Sequence, residues 1–296
     1  MNYKKIIKSR RFRFLILRLL LFIPDKMMIS IQYYIKLGRA INWKNPQRYT
    51  EKIQKYKLVY RNEILGQCVD KYEVRKYILG KGLGGILNDL YGVYDRAEEI
   101  DFENLPQKFV IKTTDGGGGN TIIICTDKKA LDIKSTIKRV NSWLNAKEVN
   151  AGREWAYTKI QKSRIVVEKF LENYNNPEAG IEDFKILCFH GKPEYVIVDT
   201  DRYIGHKRDF YDLNWNKLNI KSDCMQLEDE YPKPTNLSQM LEVAKVLSED
   251  FPAVRVDLYN VSGKIIFGEL TFYPWSGYVQ FDPDEFDYEL GEKFKI

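Results

Sequence analysis

Histidine is scarce in this 296-residue chain, with only His190 and His206, and its four cysteines (Cys68, Cys125, Cys188 and Cys224) lie far apart with no C-x-x-C spacing. That scarcity argues against a zinc centre and against a disulfide framework, and thiols so placed suit a reducing cytoplasm. No G-x-S-x-G elbow is present, which removes the usual serine-hydrolase signature. Internal repeats, low-complexity tracts and Pro/Gly/Ser linkers are also missing, so domain boundaries must come from pattern. Long apolar runs are absent as well. Phe14 to Ile23 is interrupted by Arg18, is far shorter than the roughly 20 residues that cross a bilayer, and is followed by no small-residue cleavage site. Neither export nor a membrane span is expected.

Acid is what the first 48 residues lack: twelve Lys/Arg stand against Asp25 alone, so a chain of net charge +6 is net negative beyond them. Residues 1–40 therefore predict a basic, apolar helical segment. It either lies on an anionic membrane surface, at the cytoplasmic face, or packs on the domain with its basic side in water. A nucleic-acid partner is not expected, because the bases are confined to this segment and no binding module accompanies them. The rest is globular in composition, with 44% hydrophobic and 14% aromatic residues.

"NPQRYTEKIQKYKLVYRNEILGQCVDKYEVRKYILGKGLGG" predicts helices, starting at Thr50–Glu51 and stopping at Gly80 to Gly85. Those glycines match G-x-G-x-x-G but follow a helical segment, so the dinucleotide fingerprint lacks its strand. From "KFVIKTT" onward, β-rich runs at 108–114, 121–125, 165–170, 184–189 and 194–199 alternate with helical stretches near 130–147 and 236–249. The class is mixed α and β with helices in front.

Two stretches carry chemistry. In "FVIKTTDGGGGNTIIIC", two strands flank Gly116, Gly117, Gly118 and Gly119, and four glycines are costly unless the backbone must approach a ligand or take positive φ. Their N–H groups suit phosphate oxygens, with Lys112 adding a point charge; a hairpin tip with a solvated lysine is the plain alternative. No G-K-[ST] closes the loop, so it is not a Walker A motif. In "AVRVDLYNVSGKIIFGELTFYP", a three-residue turn at Val261, Ser262 and Gly263 would set Glu269 opposite Arg255 and diagonal to Asp257, all on one face, with Val254, Val256 and Leu258 on the other. Converging carboxylates repel unless a cation lies between them. Mg²⁺ suits oxygen-only ligands, and an Arg255 salt-bridge network without metal is the alternative.

Taken in order, a lysine before a glycine loop, "RIVVEKFL", "EDFKILCFHGKP" and a late R-x-D hairpin ending in Glu resemble the ATP-grasp superfamily. "NPQRYTEKIQKYK", "DKYEVRKYI", "KRDFYDLNWN" and "GELTFYPWSG" are similar to its TupA-like branch, a polysaccharide-biosynthesis family named for a teichuronopeptide protein, from about Asn45 to Gly291. The resemblance implies an α+β ATP-grasp fold: a helical region over 41–105, a mobile lid over 106–168 carrying the glycine loop, and a C-terminal α+β subdomain over 169–296. It implies ATP and Mg²⁺, with Lys112 on the phosphates, Glu168 and the Lys169–Leu171 backbone around adenine, and Asp183 on the ribose with Lys185 beside it. Arg202 and Arg208 would meet the γ-phosphate or an acyl phosphate, Asp257 and Glu269 would hold the metal, and Arg255 would steady the transferred phosphoryl group. Where many members have Asn after the last carboxylate, this chain has Thr271, a weaker ligand. The implied reaction joins a glycan or glycan-precursor carboxylate to an amino acid or other amine. A glycosyltransferase of the same pathway is the rival reading, for which "DTD" at Asp199 to Asp201 offers a D-x-D motif.

Overall fold

The computed structural model describes residues 19–117, 119, 121–145 and 150–296. Most of the basic leader and Gly118 lie outside the described residues. Among the described residues four α-helices come first: α1 (Asp25–Leu37), α2 (Tyr49–Val59), α3 (Ile64–Val69) and α4 (Val74–Gly80). A four-stranded antiparallel sheet follows, built from β1 (Leu90–Tyr94), β2 (Phe109–Thr113), β3 (Ile122–Cys125) and β4 (Ile165–Lys169) in the order β1-β4-β2-β3, with α5 (Ile133–Asn145) on one face. The second sheet has six antiparallel strands, β5 (Asp183–Phe189), β6 (Lys192–Thr200), β7 (Lys207–Tyr211), β8 (Lys217–Leu218), β9 (Ala253–Val261) and β10 (Lys264–Thr271), ordered β10-β9-β5-β6-β7-β8. Helices α6 (Leu237–Ser248) and α7 (Glu285–Lys293) complete an α+β fold. Strand β1 falls within the segment read as helical; four of its five residues pair with β4, with a register shift at Tyr91, too short a run to stand out beside longer helical patterns.

Alternation sets what each sheet shows to the other. Along β2, Phe109 and Ile111 turn to a core with Ile165, Val167 and Val140 of α5, which leaves Val110 and Lys112 on the opposite side. In the larger sheet β5 is buried throughout. Phe184, Ile186 and Cys188 form one side, where Cys188 meets α6 at the Ala244 carbonyl, 3.8 Å away. The other side changes character along the strand. Phe189 packs edge-on to Tyr49 of α2, with centroids 5.8 Å apart, and each such aromatic contributes roughly 1.5–3 kcal/mol by burial. Asp183 and Lys185, at the other end of that face, lie beyond the helices.

The β9–β10 hairpin differs from expectation in its turn. Val261 pairs with Lys264, so the loop has two residues, Ser262 (φ 50°) and Gly263 (φ 83°), both left-handed as a type I′ turn requires. Continued without a break, that register would send Glu269 to the core side opposite Val256. A bulge at Gly268 resets it: Glu269 faces Asp257 and Thr271 faces Arg255. The expected partner of Glu269 was thus two residues out, and because side chains alternate with period two, the shared face stands.

Helix α1 packs its Met28, Ile29, Tyr33 and Leu37 side inward. Tyr33 bonds Thr50 at 2.8 Å, and Arg39 reaches Asp284 and Asp287 at 2.6 Å each. The packed alternative therefore describes Asp25 to Leu37; residues 1–18 lie outside the described ones. Among the described residues, no helix is long and apolar enough to cross a membrane.

Candidate active site

A cleft separates the two sheets. Val110, Lys112, Ile122, Ile124 and Glu168 line it from the smaller sheet, and Tyr259, Phe267 and Gly268 from the larger. Lys169, Phe170 and Leu171, which leave the end of β4, close one side. Lys112 and Glu168 sit diagonally across β2 and β4 and form an ion pair of 2.6 Å. The expected phosphate and adenine residues therefore share one wall. Gly116 lies in a small adjoining pocket with Lys71 and Glu269, so the glycine loop meets the carboxylate side of the cleft.

The larger sheet contributes a charged row from neighbouring strands. Arg255 grips Asp257 through Nε–Oδ1 and Nη2–Oδ2, both 2.7 Å. Its Nη2 also reaches Glu269 Oε1 at 3.3 Å and Thr271 Oγ1 at 3.1 Å, and the Thr271 hydroxyl donates to Glu269 at 2.9 Å. Lys185 donates to Asp257 at 2.9 Å and to Asp183, which also holds Arg202 at 2.9 Å. One oxygen of Asp183, Oδ1, is buried without a partner. Further along the row, Arg208 takes both oxygens of Asp199, at 2.6 and 2.9 Å, and pairs with Asp223.

Burial and charge pull in opposite directions here. Burial pushes the Asp257 carboxyl up to about 6, against Arg255 and Lys185. Glu269 is 51% exposed; desolvation works against its charge, but Arg255, Lys185 and Lys71 outweigh it and hold the carboxyl down to about 2. Burial disfavours the Lys185 ammonium too, yet Asp183 and Asp257 keep it above its ordinary value. Asp199, despite burial, is drawn to about 2 by Arg208.

The row brings together Asp183, Lys185, Arg202, Arg255, Asp257 and Glu269, and places Lys112, Gly116 and Glu168–Leu171 across the cleft. Arg208 lies further along the sheet, buried and paired with Asp199 and Asp223. The same grip occupies Asp199, so the "DTD" stretch does not present a pair of open carboxylates. Sequence reasoning missed Lys71, which lines the cleft and whose ammonium burial pushes below its ordinary value. Its segment reads as continuous helix, but α3 ends at Val69 and Asp70 accepts the Tyr72 and Glu73 amides at 2.8 Å, fixing the turn that leads into α4. The Asp between two helical runs was the available signal.

The oxygens at Asp257, Glu269 and Thr271 fit a small hard cation. Two carboxylates lie opposite in register on the cleft face, the Arg255 guanidinium bridges them, Lys185 also holds Asp257, and the more exposed carboxylate, Glu269, faces the opening. Among the described residues no group of three or more His, Cys, Asp or Glu side chains is placed to hold a metal ion.

The family model described as TupA-like ATPgrasp matches residues 51–295. The chain belongs to the TupA-like ATP-grasp family. No curated protein sequence matches it. Among solved structures, the D-alanine–D-alanine ligase from Bacillus anthracis is similar at 20% identity and TM-score 0.45, over 70% of this chain and 57% of that one. An L-amino acid ligase from Bacillus licheniformis is similar at 14% identity and TM-score 0.46, over 87% of this chain and 57% of that one. The D-alanine–D-alanine ligase from Helicobacter pylori is similar at 17% identity and TM-score 0.44, over 77% and 61%. The TupA-like chain thus spans less than two thirds of the length of these structures.

Proposed function

We propose that this chain is an ATP-dependent carboxylate–amine ligase that joins an amino acid or other amine to a sugar-acid or peptide carboxylate of a cell-surface polysaccharide or its precursor. The observation that carries the reading is the cleft itself, which sets Lys71 and Lys112 against the Arg255–Asp257–Glu269 row. Family membership supports the ATP chemistry, and the family's association with teichuronopeptide synthesis supports the glycan acceptor. The cytoplasm, where ATP is available, is the proposed location.

In this reading adenine rests on the Lys169–Leu171 backbone, and the unpartnered Asp183 Oδ1 accepts a ribose hydroxyl. Lys112, released from Glu168, and Lys71 neutralise phosphate oxygens. Contact with phosphate would favour the ammonium form that burial disfavours on Lys71. Mg²⁺, held by Asp257 and Glu269 with Thr271 as a weaker third oxygen, would supply charge neutralisation across the phosphates. The acceptor carboxylate attacks the γ-phosphorus, the bond to the bridging oxygen breaks, and ADP leaves. The amine nitrogen then attacks the acyl carbon, phosphate departs, and the nitrogen loses a proton. Arg255 and Lys185 hold the transferred group in line, so positioning and charge do the work and no side-chain nucleophile is needed.

The test is phosphate release from ATP and Mg²⁺ with paired uronic acids and amino acids. Release should require both partners and fall at least ~100-fold in Asp257→Asn and Glu269→Gln. Cleavage of a nucleotide sugar without ATP consumption would instead establish the glycosyltransferase reading.

A further inference from the structure

One side of α1 is buried against the domain, and the other is largely apolar and, among the described residues, exposed. Met27, Ile31, Tyr34 and Ile35, spaced as one helical stripe, are 57%, 39%, 62% and 41% exposed. The chain just before the helix continues the stripe, with Leu19 67%, Leu21 48% and Phe22 81% exposed. A core-packing helix needs one apolar side, not two, and a contiguous exposed apolar surface marks a contact site. The 18 residues that lead into this surface carry seven Lys/Arg and no acid.

We propose that the outer stripe of α1 docks the protein on an anionic lipid bilayer, the helix lying in the plane of the surface. Three features favour lipid over a second copy of the chain. The leader's charge is attracted by anionic headgroups, whereas two copies meeting at this stripe would bring two basic leaders together. Phe, Leu, Ile and Met supply shallow insertion, and Tyr34 has the apolar body and polar tip suited to a headgroup boundary. Docking also needs no rearrangement. The inner side of α1 is held by Tyr33 to Thr50, by Gln32 to the Ala151 carbonyl at 2.9 Å, and by Tyr278 to Gln32 at 2.7 Å. The last contact ties the docking helix to the Trp275–Tyr278 turn, whose Trp275 ring lies 5.9 Å from Arg255. This inference does not depend on the chemistry proposed above.

Co-sedimentation of the full chain with vesicles tests it, using phosphatidylcholine alone and phosphatidylcholine mixed with phosphatidylglycerol. The wild type should bind only the mixed vesicles, and less in high salt. The combined variant Phe22→Glu, Ile31→Glu, Tyr34→Glu, all at exposed positions, should lose ~10-fold or more of that affinity while melting as the wild type does. Binding by the combined variant equal to wild type would overturn the proposal, as would no binding by the wild type. A wild-type dimer that the variant turns into a monomer would also overturn it, in favour of a second copy.

Discussion

Lys57 sits in α2 with no exposed side-chain surface, its ammonium donating to the Ser276 carbonyl and hydroxyl at 2.8 and 2.9 Å. Burial pulls its pKa down to about 7 from 10.5. The unfolded chain therefore holds the proton over a range where the folded protein does not. This residue's contribution makes stability rise with pH from about 7 toward 10.5, and leaves it flat and lowest below about 7. A cost of that kind is retained for what the ammonium holds. Trp275 (φ 50°) and Ser276 (φ 54°) are both left-handed, a backbone state costing of order 1–3 kcal/mol per residue. Trp275 lies over Arg208 at 5.3 Å, beside the charged row. Lys57→Met should remove the rise, seen as a difference between the urea midpoints of variant and wild type that grows from pH 7 to pH 10. It should also slow phosphate release about 10-fold by freeing the turn. Parallel midpoint profiles would show that the ammonium is not the titrating group.

At the scale of the element, the hairpin explains both what could be read from the sequence and what could not. Strand alternation put Arg255, Asp257 and Glu269 on one side in advance, because period two survives an error of two residues. The I′ turn and the bulge were hidden, since a glycine within a strand is compatible with a bulge or with plain pairing. Only the packed neighbour decides: a Cβ at Gly268 would stand 2.9 Å from the Asp257 carbonyl and 3.3 Å from the Tyr259 ring. Gly268→Ala should therefore shift the bulge and separate the carboxylates. MgATP affinity measured by calorimetry should drop at least ~10-fold with the hairpin still folded. An unchanged affinity would mean that the site tolerates the shift. The glycine loop carries a similar constraint at Gly116, where a Cβ would lie 1.8 Å from Thr121 Oγ1. Amide exchange at Gly116, Gly117 and Gly119 should slow when a nucleotide is bound, and equal rates with and without it would contradict a phosphate role for the loop.

At the scale of the molecule, the described residues form two hydrophobic cores instead of one. Phe102, Phe109, Ile111, Val140, Ile165 and Val167 belong to the smaller sheet's core, while the larger sheet shares its core with α2, α6 and α7. The division into subdomains was an implication of the family resemblance, and β1 escaped the pattern reading, because a strand that pairs across about 70 residues, as Tyr94 does with Ile165 at one end of the pair, leaves no local signal of its partner. Two polar links join the segment between α3 and α4 to the smaller sheet's side of the molecule. Lys71 N–H donates to the Thr114 carbonyl at 3.0 Å, and Arg164 pairs with Glu73. A few polar links and a separate core bind the smaller sheet less firmly than a shared core would, so it should open or melt on its own. A ligand gripped by both sheets changes this, adding about 2.7 kcal/mol at a hundredfold excess over Kd. Scanning calorimetry should therefore resolve two transitions without ligand. With Mg²⁺ and a non-hydrolysable ATP analogue, the lower should rise by several degrees and merge with the upper. Adenosine, which lacks the phosphates that Lys71 and Lys112 would meet, should move it less. A single transition without ligand, raised equally by both compounds, would show that the two sheets unfold as one unit and that the phosphates do not join them.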